Sequence, residues 1–260
     1  SQEGAGPYQL ITWNGRRCSS ATGYLKEARS RRNLSIETNA HACRVEFENG
    51  RARAVIFRQH GKEKKAIAHR EVILSAGALQ SPQLLQLSGI GDSALLEGLG
   101  IQPVVDQPAV GQNLQDHLQI RMIHRCNQPL TTNDDMRSLP RKLDQQTVVA
   151  ALRVTRHIAE QPALKKFIVD EYKPGAKAQS DEELLEFARD NGVTIFHPAG
   201  TCKMGVGSDA VVDPTLKVRG VHGLRVVDCS IMPTLVSGNT HAPVVMIAEK
   251  ASDLILAEAD

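Results

Sequence analysis

His197-Pro198-Ala199-Gly200-Thr201-Cys202-Lys203-Met204-Gly205 follows a short apolar run, Val193 to Phe196, and breaks into Pro and Gly at a histidine. That pattern predicts a strand running into a tight loop with an imidazole at its mouth. A second histidine has a similar setting: Ser237-Gly238-Asn239-Thr240-His241-Ala242-Pro243, followed by a long amphipathic run. Two loop-held histidines point to an acid/base site, because imidazole changes charge near neutral pH.

Upstream of this stretch the chain alternates strands and helices. Cys43 to Glu48 and Arg51 to Phe57 flank Asn49-Gly50, the best short hairpin signal in the sequence. A turn at Gly61 sends Lys65 to His69 back antiparallel, which makes a small meander; Lys62-Glu63-Lys64-Lys65 reads as a solvated turn. Leu34 to Thr38 alternates as a strand. Glu71 to Ser75 reads as a buried strand ending in Ala76-Gly77-Ala78. Ser81-Pro82 then reads as an N-cap with Pro at the first helical position, and Gly89 as the stop. A strand that ends in small residues and turns into a helix lets backbone approach a ligand closely. Asp92 caps a further short helix that ends at Gly100.

Later elements carry equally local signals. A helix from Asp144 places Val148, Leu152, Thr155 and Ala159 on one face and stops before Pro162. Ser180-Asp181-Glu182-Glu183 is a capping box for a helix that ends at Asn191-Gly192. Leu224 to Cys229 reads as a second buried strand, with Asp228 near its end. Pro243 reads as the opening of the last helix, whose apolar stripe is Val244, Ile247, Ala248, Ala251, Leu254 and Ile255.

Composition narrows the function classes. A net charge of +2 over 260 residues implies no nucleic-acid partner. No apolar run is long enough to cross a membrane, and no signal peptide opens the chain. Five scattered cysteines without redox or zinc spacing point to a reducing compartment, the cytoplasm. The chain opens on Ser1 without Met and reads as a fragment.

Four blocks in order resemble the glucose–methanol–choline (GMC) oxidoreductases, a family of flavoproteins. They are Gly77 through Gly91, Val110-Gly111-Gln112-Asn113-Leu114-Gln115-Asp116-His117, His197 through Gly205, and Gly223-Leu224-Arg225-Val226-Val227-Asp228 through His241-Ala242-Pro243. The nearest likeness is to bacterial choline or primary-alcohol dehydrogenases. The resemblance implies an α/β fold: a Rossmann-like FAD-binding domain with the small meander, and a remnant of an α+β substrate domain. The expected division is 1–118 and 193–260 for the FAD domain and 119–192 for the substrate domain. Two departures stand out. The family's strand–GxGxxG–helix unit, which holds the FAD pyrophosphate, does not occur in this sequence. A long substrate-domain segment that relatives carry near positions 141–146 is also missing. About half of a family member is present.

By resemblance, His197 is the base that takes the alcohol proton while hydride leaves for the flavin. His241 holds the substrate oxygen beside it. Ala42, Asp228, Ala242 and Pro243 meet the FAD: Ala42 near the adenine, Asp228 near the ribityl and pyrophosphate region, the start of the last helix near the flavin's anionic side. Plainer roles stand beside these. His241 could cap the last helix, Asp228 the turn from Ser230 to Pro233, and His197 could be a satisfied structural histidine. Asp116 and His117 read as a polar pair buried near the domain junction. Cys202, close to His197, invites a Cys–His nucleophile, but no third orienting group is evident.

The implied reaction is FAD-dependent oxidation of a small primary alcohol, choline-like or aliphatic, to the aldehyde. The electron acceptor is unspecified, and peripheral membrane association through an electron-transfer partner is compatible with it. Two alternatives stay open. One is a non-catalytic remnant without the pyrophosphate loop. The other is a cyanohydrin lyase, a non-redox reaction on the same fold.

Overall fold

In the computed structural model, residues 11–127 and 142–258 are described. The chain starts with a two-residue hairpin, β1 (Thr12–Trp13) and β2 (Arg16–Arg17), turned by Asn14 and Gly15 at positive φ. A π-helical turn, Ala21–Leu25, runs into α1 (Lys26–Ala28). The strand expected at Leu34 to Thr38 does not form. Those residues are irregular, Leu34 and Ile36 are exposed, and no strand among the described residues pairs with them.

The meander forms as expected, with longer first and second strands and a third that begins at Lys62 and ends at Ile67 rather than running from Lys65 to His69. β3 (Ala40–Glu48), β4 (Arg51–Gln59) and β5 (Lys62–Ile67) form an antiparallel sheet in sequence order. Asn49 and Gly50 both take positive φ, as the tight primed hairpin turn requires. The basic stretch read as a solvated turn lies in β5, the exposed edge strand. Lysines there are a usual guard against edge-to-edge pairing.

β6 (Val72–Leu74) pairs in parallel with β13 (Leu224–Val226), joining distant parts of the chain. α2 (Gly77–Leu87) packs against β3 and shares the larger core with this pair. It begins four residues before Ser81, so Pro82 lies inside the helix rather than at its first position. Proline has no N–H to give the carbonyl of Ala78, four residues back. The hydroxyl of Thr201 donates to that carbonyl instead, at 2.5 Å. Gly89 ends the helix at φ +88, and a Cβ there would meet the Gln102 carbonyl at 2.7 Å. β7 (Ile90–Gly91), α3 (Ser93–Gly98, capped by Asp92) and β8 (Val105–Asp106) follow.

The second module is α+β. β9 (Leu118–Ile120) pairs antiparallel with β12 (Gly192–Thr194), and β10 (Ile123–Cys126) with β11 (Ile168–Lys173). α4 (Lys142–Ala159), α5 (Pro162–Lys165) and α6 (Asp181–Asn191) complete it. The capping box at Ser180 and Glu183 forms as expected. Val148 and Leu152 are buried with Val149, Leu184 and Ala188 in a small core of their own, whereas Thr155 is exposed. The larger core collects β3, β4, β6, β13, α2 and the last helix, α7 (His241–Ala257). α7 starts at His241, so Pro243 is its third residue, not its first. No described helix is long and apolar enough to cross a membrane.

Candidate active site

The two strand segments that carry the block histidines pair twice with different offsets. Thr194 faces Leu118 in the β12–β9 ladder, while Ala199 faces Gln115 in an isolated bridge with hydrogen bonds of 2.9 and 3.0 Å. Five steps on one side, 194 to 199, therefore match three on the other, 118 to 115. Two residues must bulge. The bulge is made at Phe196, a 74% exposed aromatic held at φ +61. That conformation is costly for a bulky residue and persists only where its surroundings impose it. Asp116 is the restraint: one carboxylate oxygen accepts from the His197 backbone N–H at 3.0 Å, the other from the Thr194 hydroxyl, whose oxygen in turn accepts from the Phe196 N–H at 2.8 Å.

The bulge turns the His197 ring to His117. Their Nδ1 atoms lie 2.9 Å apart and the rings meet edge to face. The Nε2 of His117 is 2.7 Å from the Val236 carbonyl. Both rings are half-buried. Burial pushes the His197 imidazole below its ordinary pKa, the neighbouring His117 adds to this, and the Asp116 charge partly offsets it. The expected buried polar pair, Asp116 and His117, thus bears directly on the candidate base, and Asp116 is exposed rather than buried. The sequence placed both residues in one block but offered no sign of the bulge that brings them to His197.

The blocks are bolted together through backbone. Asn113 donates to the Gly200 and Pro233 carbonyls, both at 3.2 Å, and Gln115 Oε1 accepts from the Leu235 N–H at 3.1 Å. Gly200 sits at φ +90, where a Cβ would lie 2.6 Å from the Asn113 carbonyl oxygen. Gly200→Ala is therefore expected to cost roughly 1–3 kcal/mol by overpacking and strain. Chemical denaturation measures this, and an unchanged midpoint would show that the two loops part without penalty.

Asp228 is 5% exposed and fully engaged within the chain. It accepts from the Gly77 N–H at 2.9 Å, the Ser81 hydroxyl at 2.5 Å and the Ser230 N–H at 2.8 Å. It thereby caps the 3-10 turn Cys229–Ile231 and sits at the positive end of α2, so the plainer capping role is realised. Ala42 lies half-buried in β3 opposite Phe57, next to a register shift. Ala242 is exposed and Pro243 half-buried in the first turn of α7. His241 is exposed there and forms no hydrogen bond to His197; four residues separate it from Val236. Thr240 precedes the helix without a side-chain cap, so the free N–H groups of His241 and Ala242 face outward from the helix start. Cys202 is buried and its thiol is pushed up to about 12, chiefly by burial, which removes it as a nucleophile. Among the described residues no cluster of three or more metal-ligating side chains occurs.

Parallel strands whose carboxyl ends open beside small-residue turns and helix starts belong to the α/β class in which ligands bind beyond those ends. The chain is a member of the GMC oxidoreductase family: the family's N-terminal profile matches residues 1–119 and its C-terminal profile residues 124–248. These oxidoreductases are FAD-binding flavoproteins. The oxygen-dependent choline dehydrogenase of Staphylococcus xylosus is 34% identical over 351 residues, covering 98% of this chain and 62% of the relative. Oxygen-dependent choline dehydrogenase 1 of Chromohalobacter salexigens is 35% identical, covering 98% and 63%. Among solved structures, pyridoxine 4-oxidase from Mesorbium loti superposes with a TM-score of 0.85 at 27% identity, over 93% of this chain and 62% of that one. A fungal aryl-alcohol oxidase shares the fold, with a TM-score of 0.81 at 21% identity over 94% and 64%. The match spans a little over three fifths of the length of the curated relatives, a partial length that fits the expected half of a family member. The alignment covers 351 positions against 260 residues, so the relatives hold residues within the aligned span that this chain lacks.

Proposed function

We propose that this chain supplies the proton-handling side of an FAD-dependent oxidoreductase that converts a primary alcohol, choline-like or aliphatic, to its aldehyde. The observation that carries the reading is the half-buried His197 imidazole, whose lowered pKa keeps it neutral and able to accept a proton at physiological pH. His241 is assigned to the substrate oxygen. The choline dehydrogenase names of relatives at 34–35% identity support a small alcohol as substrate.

The residues present suit the flavin side of the cofactor. Small residues Ala76 and Gly77 turn out of β6, and two uncapped N–H groups open α7. In this reading Ala242 and Pro243 would contact the flavin, Asp228, which orders the start of α2, would serve the ribityl and pyrophosphate region, and Ala42 would meet the adenine. Bound FAD would supply the hydride acceptor. A helix start favours negative charge, so α7 would stabilise the reduced cofactor. The division at 118/119 and 192/193 goes with this assignment, as does a cytoplasmic location, which the free thiols at Cys18, Cys43, Cys202 and Cys229 support.

Titration of the purified protein with FAD, followed by anaerobic addition of choline or a primary alcohol, tests the proposal. Stoichiometric flavin that bleaches with alcohol is expected. Protein that retains no flavin would favour the non-catalytic remnant, and bound flavin inert to every alcohol but accompanied by cyanohydrin cleavage would favour the lyase.

A further inference from the structure

The Val236 carbonyl can only accept a hydrogen bond, so the Nε2 of His117, 2.7 Å away, must carry a hydrogen. With His117 neutral, its Nδ1 then bears a lone pair. Among the described residues the one atom within hydrogen-bond reach of that lone pair is the Nδ1 of His197, at 2.9 Å, which must therefore be the donor. A neutral imidazole has one N–H. The remaining nitrogen of His197, Nε2, has no hydrogen-bond partner among the described residues.

We propose that His117 is a positioning residue that fixes His197 as the Nδ1–H tautomer and leaves Nε2 as its proton-accepting atom. The inference deepens the assignment of His197 as base and rests on it. The order of bonds is Val236 carbonyl, His117 Nε2–H, His117 Nδ1, His197 Nδ1–H, His197 Nε2. When an alcohol O–H bond breaks, its electron pair stays on oxygen and the proton joins the Nε2 lone pair. The Nδ1–H···Nδ1 bond is unchanged by that event, so proton uptake requires no ring flip. A free imidazole lacks this constraint and places its proton on either nitrogen. The orienting partner here is a second imidazole and not a carboxylate, so it orients without adding a negative charge. The charged group on the other side of His197 is Asp116, which is bound to the His197 backbone N–H and not to the ring.

The tautomer is measurable without flavin, substrate or turnover. Long-range proton–nitrogen correlation on protein labelled with 15N-histidine, above the His197 titration, should show Nδ1 of His197 protonated and Nε2 unprotonated. His117→Asn retains an acceptor near the Nδ1 position and is expected to keep that pattern. His117→Phe removes it and should shift His197 toward the Nε2–H form. In flavin-loaded protein, His117→Phe is expected to lower kcat roughly 10- to 100-fold with little change in KM, by analogy with the loss when the partner that orients a metal-bound imidazole is removed. A wild-type His197 already protonated on Nε2 would overturn the proposal, whether or not the variants fold. A correct tautomer in a protein whose turnover ignores His197 would instead sink the base assignment and leave the positioning geometry standing.

Discussion

His197→Gln in the flavin-loaded protein is expected to lower alcohol oxidation by about 10²–10⁴-fold, the usual contribution of a positioned general base. Glutamine retains hydrogen-bonding capacity but takes no proton at neutral pH. The loop itself should survive the change, because the hydrogen bonds that shape it run through backbone: His197 N–H to Asp116, and Ala199 to Gln115 in both directions. Flavin content and melting temperature should therefore stay close to wild type while the rate falls. The pH dependence supplies a second reading. His197 titrates below the ordinary imidazole value of about 6.5, so the wild-type rate should climb on the acid side and level off below neutrality. The same shift makes the folded state bind this proton less readily than the unfolded chain, so His197 contributes a loss of stability as pH falls through its unfolded value. The acid limb of the rate should be absent in the variant. A variant that oxidises alcohol at near-normal rate would remove His197 from the chemistry altogether.

Much of the fold is legible because its signals are local. Asn49-Gly50 can adopt the two positive φ values of a tight hairpin at little cost, Asp92 offers its carboxylate to an N–H three residues on, and Ser180 with Glu183 closes a capping box within one turn. The misses are places where a distant residue overrides a local rule. Ser81-Pro82 has the local form of a helix start, yet the carbonyl that Pro82 leaves free is satisfied by Thr201, more than a hundred residues later. Leu34 to Thr38 alternates like a strand but has no partner strand among the described residues, and alternation alone supplies no hydrogen bonds. Pro243 falls in the first turn of α7, where proline is tolerated, but two positions later than its usual place.

The site divides along the same line. The block around His197 is recognisable as a unit, because Gly200 and Thr201 serve contacts that fix their identity: close approach to Asn113 and the bond to Ala78. The pairing of His197 with His117 depends on a two-residue mismatch between two ladders, and no single stretch of sequence encodes that offset. Asp228 shows the converse. A carboxylate at the end of a buried strand suggests a ligand contact, but three internal donors already stabilise its charge.

Arg225→Met is expected to destabilise the larger core by about 3 kcal/mol, toward the lower end of what breaking a buried ion pair costs. Arg225 lies in the middle strand position of β13 and is 2% exposed. Its guanidinium donates to Glu71 at 2.8 Å, to Glu258 at 2.6 Å and to the Thr215 carbonyl at 2.6 Å. These partners tie three places together: the approach to β6, the end of α7, and the segment that flanks β13. Methionine fills a similar volume but leaves the Glu71 side chain, 19% exposed, and the Thr215 carbonyl without a donor. Glu258 is the lesser loss. Its carboxylate is open to water and keeps Lys217 at 2.8 Å, so Glu258→Gln should leave the unfolding midpoint nearly unchanged. The attribution is checked by the pair Arg225→Met with Glu71→Leu, which removes both charges. If the cost lies in the stranded Glu71, the double variant recovers a good part of the loss in urea denaturation. If the double variant is as unstable as the sum of the single changes, the stranded Glu71 is not the source of the cost, and lost packing around the aliphatic stem of Arg225 takes its place as the cause.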